Sequence, residues 1–171
     1  SKLGLVFKES GRFGKNLTVS KPVFNKVDSY YDLVVGKAKT VHEVYNEVRI
    51  PMIEKTSIPR RIDLIARVFN DGLAYRYEFP EQTHWKEYTL IEENSTFDIA
   101  GDPGVRTLLF NNTNNAHEGL YEKMPLSKMK EGPLMDLPAL FEFSDGIYMA
   151  ITEANLRDYA GMYLSKKQGI L

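Results

Sequence analysis

The chain has 171 residues, of which 43% are hydrophobic, 26% charged and 12% aromatic, the composition of a folded globular domain and not of a disordered segment. With 22 Lys and Arg against 23 Asp and Glu the net charge is −1, which excludes the broad positive field that phosphate backbones or anionic lipid require. Cysteine is absent, so disulfide frameworks, thiolate metal sites and a cysteine nucleophile are excluded as well.

No run approaches the roughly 18 consecutive apolar residues of a membrane span, and residues 1–7 lack the layout of a signal peptide. A compact chain of this length buries roughly 70% of its unfolded surface, enough for a core without covalent staples. One domain, 1–171, is expected.

Short runs rich in Val, Ile, Tyr, Phe and Thr alternate with Gly, Pro, Asn and Asp every ten or so residues, the spacing of an all-β sandwich. In chain order the predicted strands are 4–8, 17–27, 30–35, 41–53, 62–69, 73–79, 87–92, 96–99, 106–110, 139–143 and 147–152. No window carries a capped apolar stripe of helical period.

Two hairpins stand out. A two-residue Asp71-Gly72 turn would set Arg67 against Arg76, so a three-residue loop, Asn70-Asp71-Gly72, is expected, with Arg67 opposite Tyr75 and Ile65 opposite Tyr77. That register gives Gly72 the left-handed position of a glycine bulge. The second hairpin joins 140–143 to 147–151 through Ser144-Asp145-Gly146. Between them, 111–138 reads as a long loop containing five consecutive Asn and Thr residues from Asn111, a length more often functional or partner-covered than idle.

Phosphate loops, dinucleotide fingerprints, nucleophile elbows, two-histidine zinc helices and calcium-loop patterns are all missing. His42, His84 and His117 lie far apart in sequence and read as structural or surface groups. The sequons at Asn16, Asn94 and Asn111 matter only in a eukaryotic secretory pathway. Trp85, between His84 and Lys86 in a polar segment, is the first aromatic to suspect of stacking on a sugar ring.

Glu153 is harder to dismiss. Ile147, Met149 and Ile151 share one face of a strand, and extending that strand would carry Glu153 onto the same apolar face. A buried unpaired carboxylate costs several kcal/mol. Two readings stay open: a cation or basic group meets Glu153, or Thr152 caps a short helix through Asn155, Leu156 and Arg157 that turns Glu153 outward.

Segments 67–80 (Arg-Val-Phe-Asn-Asp-Gly-Leu-Ala-Tyr-Arg-Tyr-Glu-Phe-Pro) and 151–164 (Ile-Thr-Glu-Ala-Asn-Leu-Arg-Asp-Tyr-Ala-Gly-Met-Tyr-Leu) resemble, in order and spacing, the N-terminal domain of glycoside hydrolase family 97. Asp32-Leu33-Val34-Val35-Gly36-Lys37 and Tyr45-Asn46-Glu47 extend the likeness over most of the chain. The resemblance implies a large β-sandwich related to galactose mutarotase folds. In that family it packs on a catalytic (β/α)8 barrel in exported enzymes, chiefly of Bacteroidetes, that hydrolyse α-glucosides or α-galactosides. Such enzymes are periplasmic or extracellular and use calcium.

The family's acid, base or nucleophile carboxylates lie on the barrel, which this chain lacks. Its N-terminal domain supplies one glutamate to the calcium site, and Glu153 is the position that matches. Calcium takes six to eight oxygens, so the other ligands must come from a neighbour. His117, Glu118 and Tyr121, in the long loop, are the further residues expected to face barrel or substrate.

The resemblance therefore implies a non-catalytic domain, inactive alone, that supports the pocket of a calcium-dependent α-glycosidase acting on oligosaccharides. The chain is shorter than the family's domain, which leads to the expectation of a fragment whose exposed sandwich face drives oligomerisation. Two other readings are a stand-alone carbohydrate-binding sandwich using Trp85, and a purely structural scaffold.

Overall fold

A computed structural model describes residues 4–14 and 16–171. These residues are all-β, with a single turn of 3-10 helix, and none forms a helix long and apolar enough to cross a membrane. They divide into two compact units, 4–95 and Thr96–Leu171.

The first unit contains β1 (Leu5–Phe7), β2 (Gly11–Arg12), β3 (Leu17–Val19), β4 (Val23–Asp32), β5 (Thr40–Glu54), β6 (Arg61–Val68), β7 (Leu73–Glu78) and β8 (Leu90–Glu93). One antiparallel sheet runs β2-β1-β8 and the other β3-β5-β6-β7, with β4 also on β5. The strand expected over 17–27 is two strands separated at 20–22. Pro22 has no N–H to continue a ladder, so β3 pairs with the far end of β5 and β4 with its first ten residues. β4 runs on through 30–32, whereas Val34 and Val35 lie in the connecting loop, exposed.

Alternation along the large sheet sorts its two faces. Met52, Ile62 and the half-buried Ile50, Leu64 and Tyr77 pack with Leu5, Phe7, Phe13 and Trp85 into the core. The opposite face gathers Arg49, Arg61, Asp63, Arg76 and Glu78. Arg49 donates to Asp63 (3.1 Å) and to both Glu78 oxygens (2.7 and 3.1 Å), and Arg61 forks onto Asp63 at 2.7 and 2.8 Å.

That network corrects the expected β6–β7 register. Arg67 pairs with Ala74, Ile65 with Arg76 and Asp63 with Glu78, around a four-residue loop closed by the Phe69 N–H on the Gly72 carbonyl (2.8 Å). Gly72 has no positive φ, so there is no glycine bulge. The one-residue difference puts Arg76 and Glu78 on the face of Arg49 and Asp63, where opposite charges pair. It also frees Phe69 to pack on Tyr45, ring centroids 5.1 Å apart. The observed register also avoids an Arg67–Arg76 pair; what selects it over the three-residue loop is the pairing of opposite charges across three strands.

The second unit contains β9 (Gly104–Thr107), β10 (Leu109–Phe110), β11 (Glu122–Pro125), the 3-10 turn Leu126–Lys128, β12 (Leu134–Met135), β13 (Ala139–Glu142), β14 (Tyr148–Ile151) and β15 (Leu164–Ser165). Its sheets run β11-β9-β13-β14 and β10-β12-β15. Val105, Phe141 and Ala139 point into a core completed by Leu126, Met129, Met135, Leu164 and Leu171, with Met149 and Ile151 packed against it.

The β13–β14 hairpin has the predicted register, Glu142 opposite Tyr148. Its three-residue loop ends at Gly146 with φ +81°, a position that favours glycine. Residues 96–99 form no strand, yet Phe97 exchanges both backbone hydrogen bonds with Leu171. The expected loop 111–138 is irregular only to 121; β11, the 3-10 turn and β12 occupy much of the rest. β12, of two residues, and β11, with Met124 before Pro125 as its one large apolar side chain, carry too little pattern to be read.

Candidate functional site

The segment 152–163 leaves β14 and returns into β15 as an irregular arm, with Asn155 (φ 56°) and Asp158 (φ 48°) in the left-handed region. No helix forms at 152–157, and the Thr152 hydroxyl reaches only the Glu153 carbonyl (3.4 Å). The capped-helix reading is thereby corrected: two left-handed residues within four positions are incompatible with a helical turn.

Glu153 is instead half-buried, and its Oε2 accepts the Met162 N–H at 2.9 Å, clamping the arm's two ends together. A Cβ added at Gly161 would meet Oε2 at 3.9 Å, an ordinary contact. Oε1 has no donor among the described residues. The strand stops at Ile151 before carrying the carboxylate into the core, and the Met162 amide satisfies one oxygen while leaving the other to the groove.

Glu153 lines an open groove of about 830 Å³ together with Thr113, His117, Asp136, Ala160 and Tyr163, within the ~300–1,000 Å³ of small-molecule sites. Asp136 follows β12 and is fixed by its backbone: its N–H donates to Leu108 (3.0 Å) and its carbonyl accepts the buried Thr107 hydroxyl (3.0 Å). Asp136 Oδ1 accepts the Leu137 N–H (3.0 Å), while Oδ2 faces His117 Nδ1 at 3.0 Å.

His117 itself is left-handed (φ 54°), held there by the Asn115 side chain, which accepts its N–H at 3.0 Å. Its Nε2 lies 3.3 Å from the Tyr163 hydroxyl, and Phe110 of β10 packs edge-on against the ring at 5.7 Å. Two predicted residues, Glu153 and His117, thus share one groove. Glu118 and Tyr121 are exposed and do not line it.

Trp85 belongs to the other unit and is 7% exposed. It packs on Phe7 (4.9 Å) and Tyr88 (4.6 Å), with the Arg60 guanidinium 5.6 Å from its ring centroid. The expectation of an exposed stacking platform is corrected, because the polar neighbours His84 and Lys86 conceal an apolar-core residue. Asp136 and Tyr163 escaped the sequence reading. Tyr163 stands inside the 151–164 motif, whereas Asp136 has no local signal.

The first motif, 67–80, builds the β6–β7 hairpin and its charges. The Arg49 guanidinium holds the Glu78 carboxyl below the usual carboxylate range; Arg61, and then Arg49, do the same for Asp63 against the opposing effect of burial. Burial pushes the Tyr77 phenol up to about 12.

For calcium, the donor chemistry fits in part: Glu153 offers one free, oriented carboxylate oxygen on a groove. Among the described residues no group of three or more His, Asp or Glu side chains could hold a metal. A calcium ion bound here would take most of its six to eight oxygens from outside this chain.

A family model, glycosyl-hydrolase 97 N-terminal, matches residues 1–170. The chain is 26% identical over 166 residues to a retaining alpha-galactosidase of Bacteroides thetaiotaomicron, covering 92% of this chain and 24% of that protein. Among solved structures, a variant of a glycoside hydrolase family 97 enzyme from Pseudoalteromonas sp. strain K8 superposes with a TM-score of 0.89 at 24% identity, over 99% of this chain and 26% of that one.

Another variant of that enzyme, in complex with panose, gives 0.88 at 24% identity, over 98% and 25%. A beta-arabinopyranosidase gives 0.81 at 24% identity, over 98% and 28%. Over the matched quarter of their length these structures share the fold of this chain. The chain spans about a quarter of the length of the relatives it matches.

Proposed function

The chain belongs to the glycosyl-hydrolase 97 N-terminal family, and from that premise we propose that it is the non-catalytic N-terminal part of an exported, calcium-dependent α-glycosidase. In this reading Glu153 supplies one calcium ligand, and the groove beside it forms part of a pocket completed by a (β/α)8 barrel. The observation that carries the reading is the half-buried Glu153 carboxylate, with one oxygen tied to the Met162 amide and the other free.

Bound calcium would supply fixed positive charge against carboxylates and sugar oxygens. This chain's part is to orient Glu153 through the clamp across 152–163 and to present the groove. Hydrolysis by paired carboxylates belongs to the remainder of the protein. The relatives are named for action on α-galactosides and for binding panose, which supports an oligosaccharide substrate; a periplasmic or extracellular setting is part of the same proposal. Trp85 gives no support to a stand-alone sugar-binding module, since its ring is enclosed.

In the longer protein that carries this chain, Glu153→Gln should weaken calcium binding at least about tenfold, as loss of a charged ligand does. The isolated chain should turn over neither nitrophenyl α-glucoside nor nitrophenyl α-galactoside with calcium present. Unchanged calcium affinity in the Gln variant refutes the ligand role, and enzyme-like turnover by the chain alone refutes the non-catalytic one.

A further inference from the structure

Beside Glu153 the groove holds a hydrogen-bond chain that the calcium reading does not use. Three separate segments build it: the Asn-rich loop delivers His117, the end of β12 delivers Asp136, and the start of β15 delivers Tyr163. We propose that Tyr163 is the residue with which this chain binds a saccharide hydroxyl, and that His117 and Asp136 are positioning residues that set which way the Tyr163 hydroxyl points. The proposal rests on reading the groove as part of a glycosidase pocket.

The direction follows from donor and acceptor inventories. Asp136 is an acceptor, already bound through Oδ1 to the Leu137 amide and anchored by backbone bonds to Leu108 and Thr107. Its Oδ2 at 3.0 Å places the imidazole proton on His117 Nδ1. When the ring carries that one proton, Nε2 is an acceptor, and the hydrogen that reaches it is that of Tyr163 (3.3 Å).

With its own hydrogen committed, the Tyr163 oxygen offers lone pairs. Asn115 Nδ2 approaches one side of it at 3.4 Å, and the rest faces the groove. The result is an acceptor of fixed direction on a wall lined by Glu153. A sugar hydroxyl, which can donate or accept, is forced to donate there.

The supporting structure is specific to that geometry. Asn112 Oδ1 accepts the Asn114 N–H, Asn115 donates to the Asn112 carbonyl, and Asn115 Oδ1 accepts the His117 N–H, each at 3.0 Å. These local bonds hold His117 at φ 54°, a conformation a histidine backbone seldom adopts without such support. The Asn run thereby aims the imidazole between Asp136 and Tyr163.

The test uses the longer protein, with the monodeoxy analogues of nitrophenyl α-galactoside and α-glucoside. Tyr163→Phe keeps the ring and removes the acceptor; KM should rise about three- to tenfold, with kcat within about twofold and calcium affinity unchanged. On the one deoxy analogue that lacks the bonded hydroxyl, wild type and Tyr163→Phe should become equal.

Asp136→Asn presents an amide N–H to Nδ1, reverses the imidazole and turns the Tyr163 hydrogen outward, so the bonded sugar hydroxyl must accept instead of donate and KM should shift although Tyr163 is intact. Equal KM in wild type and Tyr163→Phe overturns the proposal. So does a penalty that persists on every deoxy analogue, or a wild-type protein that neither binds nor turns over either sugar. Calcium affinity lost in Glu153→Gln without any KM change in Tyr163→Phe sinks this inference alone; the converse sinks the calcium role alone.

Discussion

Residues 4–95 and Thr96–Leu171 solve the same problem, satisfying backbone and burying apolar surface, by different means. The first unit uses long strands, ten residues in β4 and 15 in β5, so ladders satisfy the backbone and side chains are free to pair as ions. Its buried charges are partnered: Arg60, 8% exposed, donates to Glu54 (2.7 Å), Ser10 and the Arg12 carbonyl.

In the second unit no strand exceeds four residues, and much backbone is left for side chains to satisfy. Asp102 accepts the Ser127 N–H (2.7 Å), Glu131 that of Gln168 (2.8 Å) and Glu153 that of Met162 (2.9 Å). Lys166 donates to three carbonyls around the 3-10 turn. The unit that gives up regular structure is the one whose polar side chains converge on a groove.

The comparison breaks most sharply at Arg60. Arg60→Ala strands Glu54, 2% exposed, with the Gly14 N–H as the one remaining donor to its side chain among the described residues, and should cost about 3–5 kcal/mol in urea unfolding. The double change Arg60→Met with Glu54→Leu should recover most of that loss, because the uncompensated charge is gone. A double variant as unstable as Arg60→Ala would mean that packing around Trp85, not charge, is what Arg60 supplies.

Acid sharpens the comparison next. Asp63 and Glu78 titrate below their unfolded values, so their stabilisation is fully present above the ordinary carboxylate range near pH 4 and is lost as pH falls through their folded values. Thermal midpoints should drop steeply below about pH 4, and Arg49→Met should flatten that slope. An unaltered slope would show that Arg49 does not hold the two carboxylates.

The smallest effect lies in the second unit. Thr107→Val removes the hydroxyl that supports the Asp136 carbonyl (3.0 Å) and should cost about 1 kcal/mol, one neutral hydrogen bond. A loss as large as that at Arg60 would contradict the division between ion-paired and hydrogen-bonded halves.

What was legible in the sequence was what repeats locally. Alternation over β5, β6 and β7 marked long strands, Ser144-Asp145-Gly146 marked its hairpin, and the period of Ile147, Met149 and Ile151 flagged Glu153. The β6–β7 register was misread because the deciding partner, Arg49, sits on a third strand. Trp85 was misplaced because its neighbours are polar while its own ring packs on Phe7, 78 positions earlier in the chain.

By itself the sequence determined an all-β chain, its longest strands, the family it belongs to and one carboxylate in need of a partner, since each follows from periods and motifs within a few tens of residues. Only the tertiary structure decided that Glu153 is clamped by Met162, and that His117 meets Asp136 and Tyr163, 19 and 46 residues away. Hydrogen bonds between segments that distant leave no periodic trace, because nothing in either segment's own pattern requires the other.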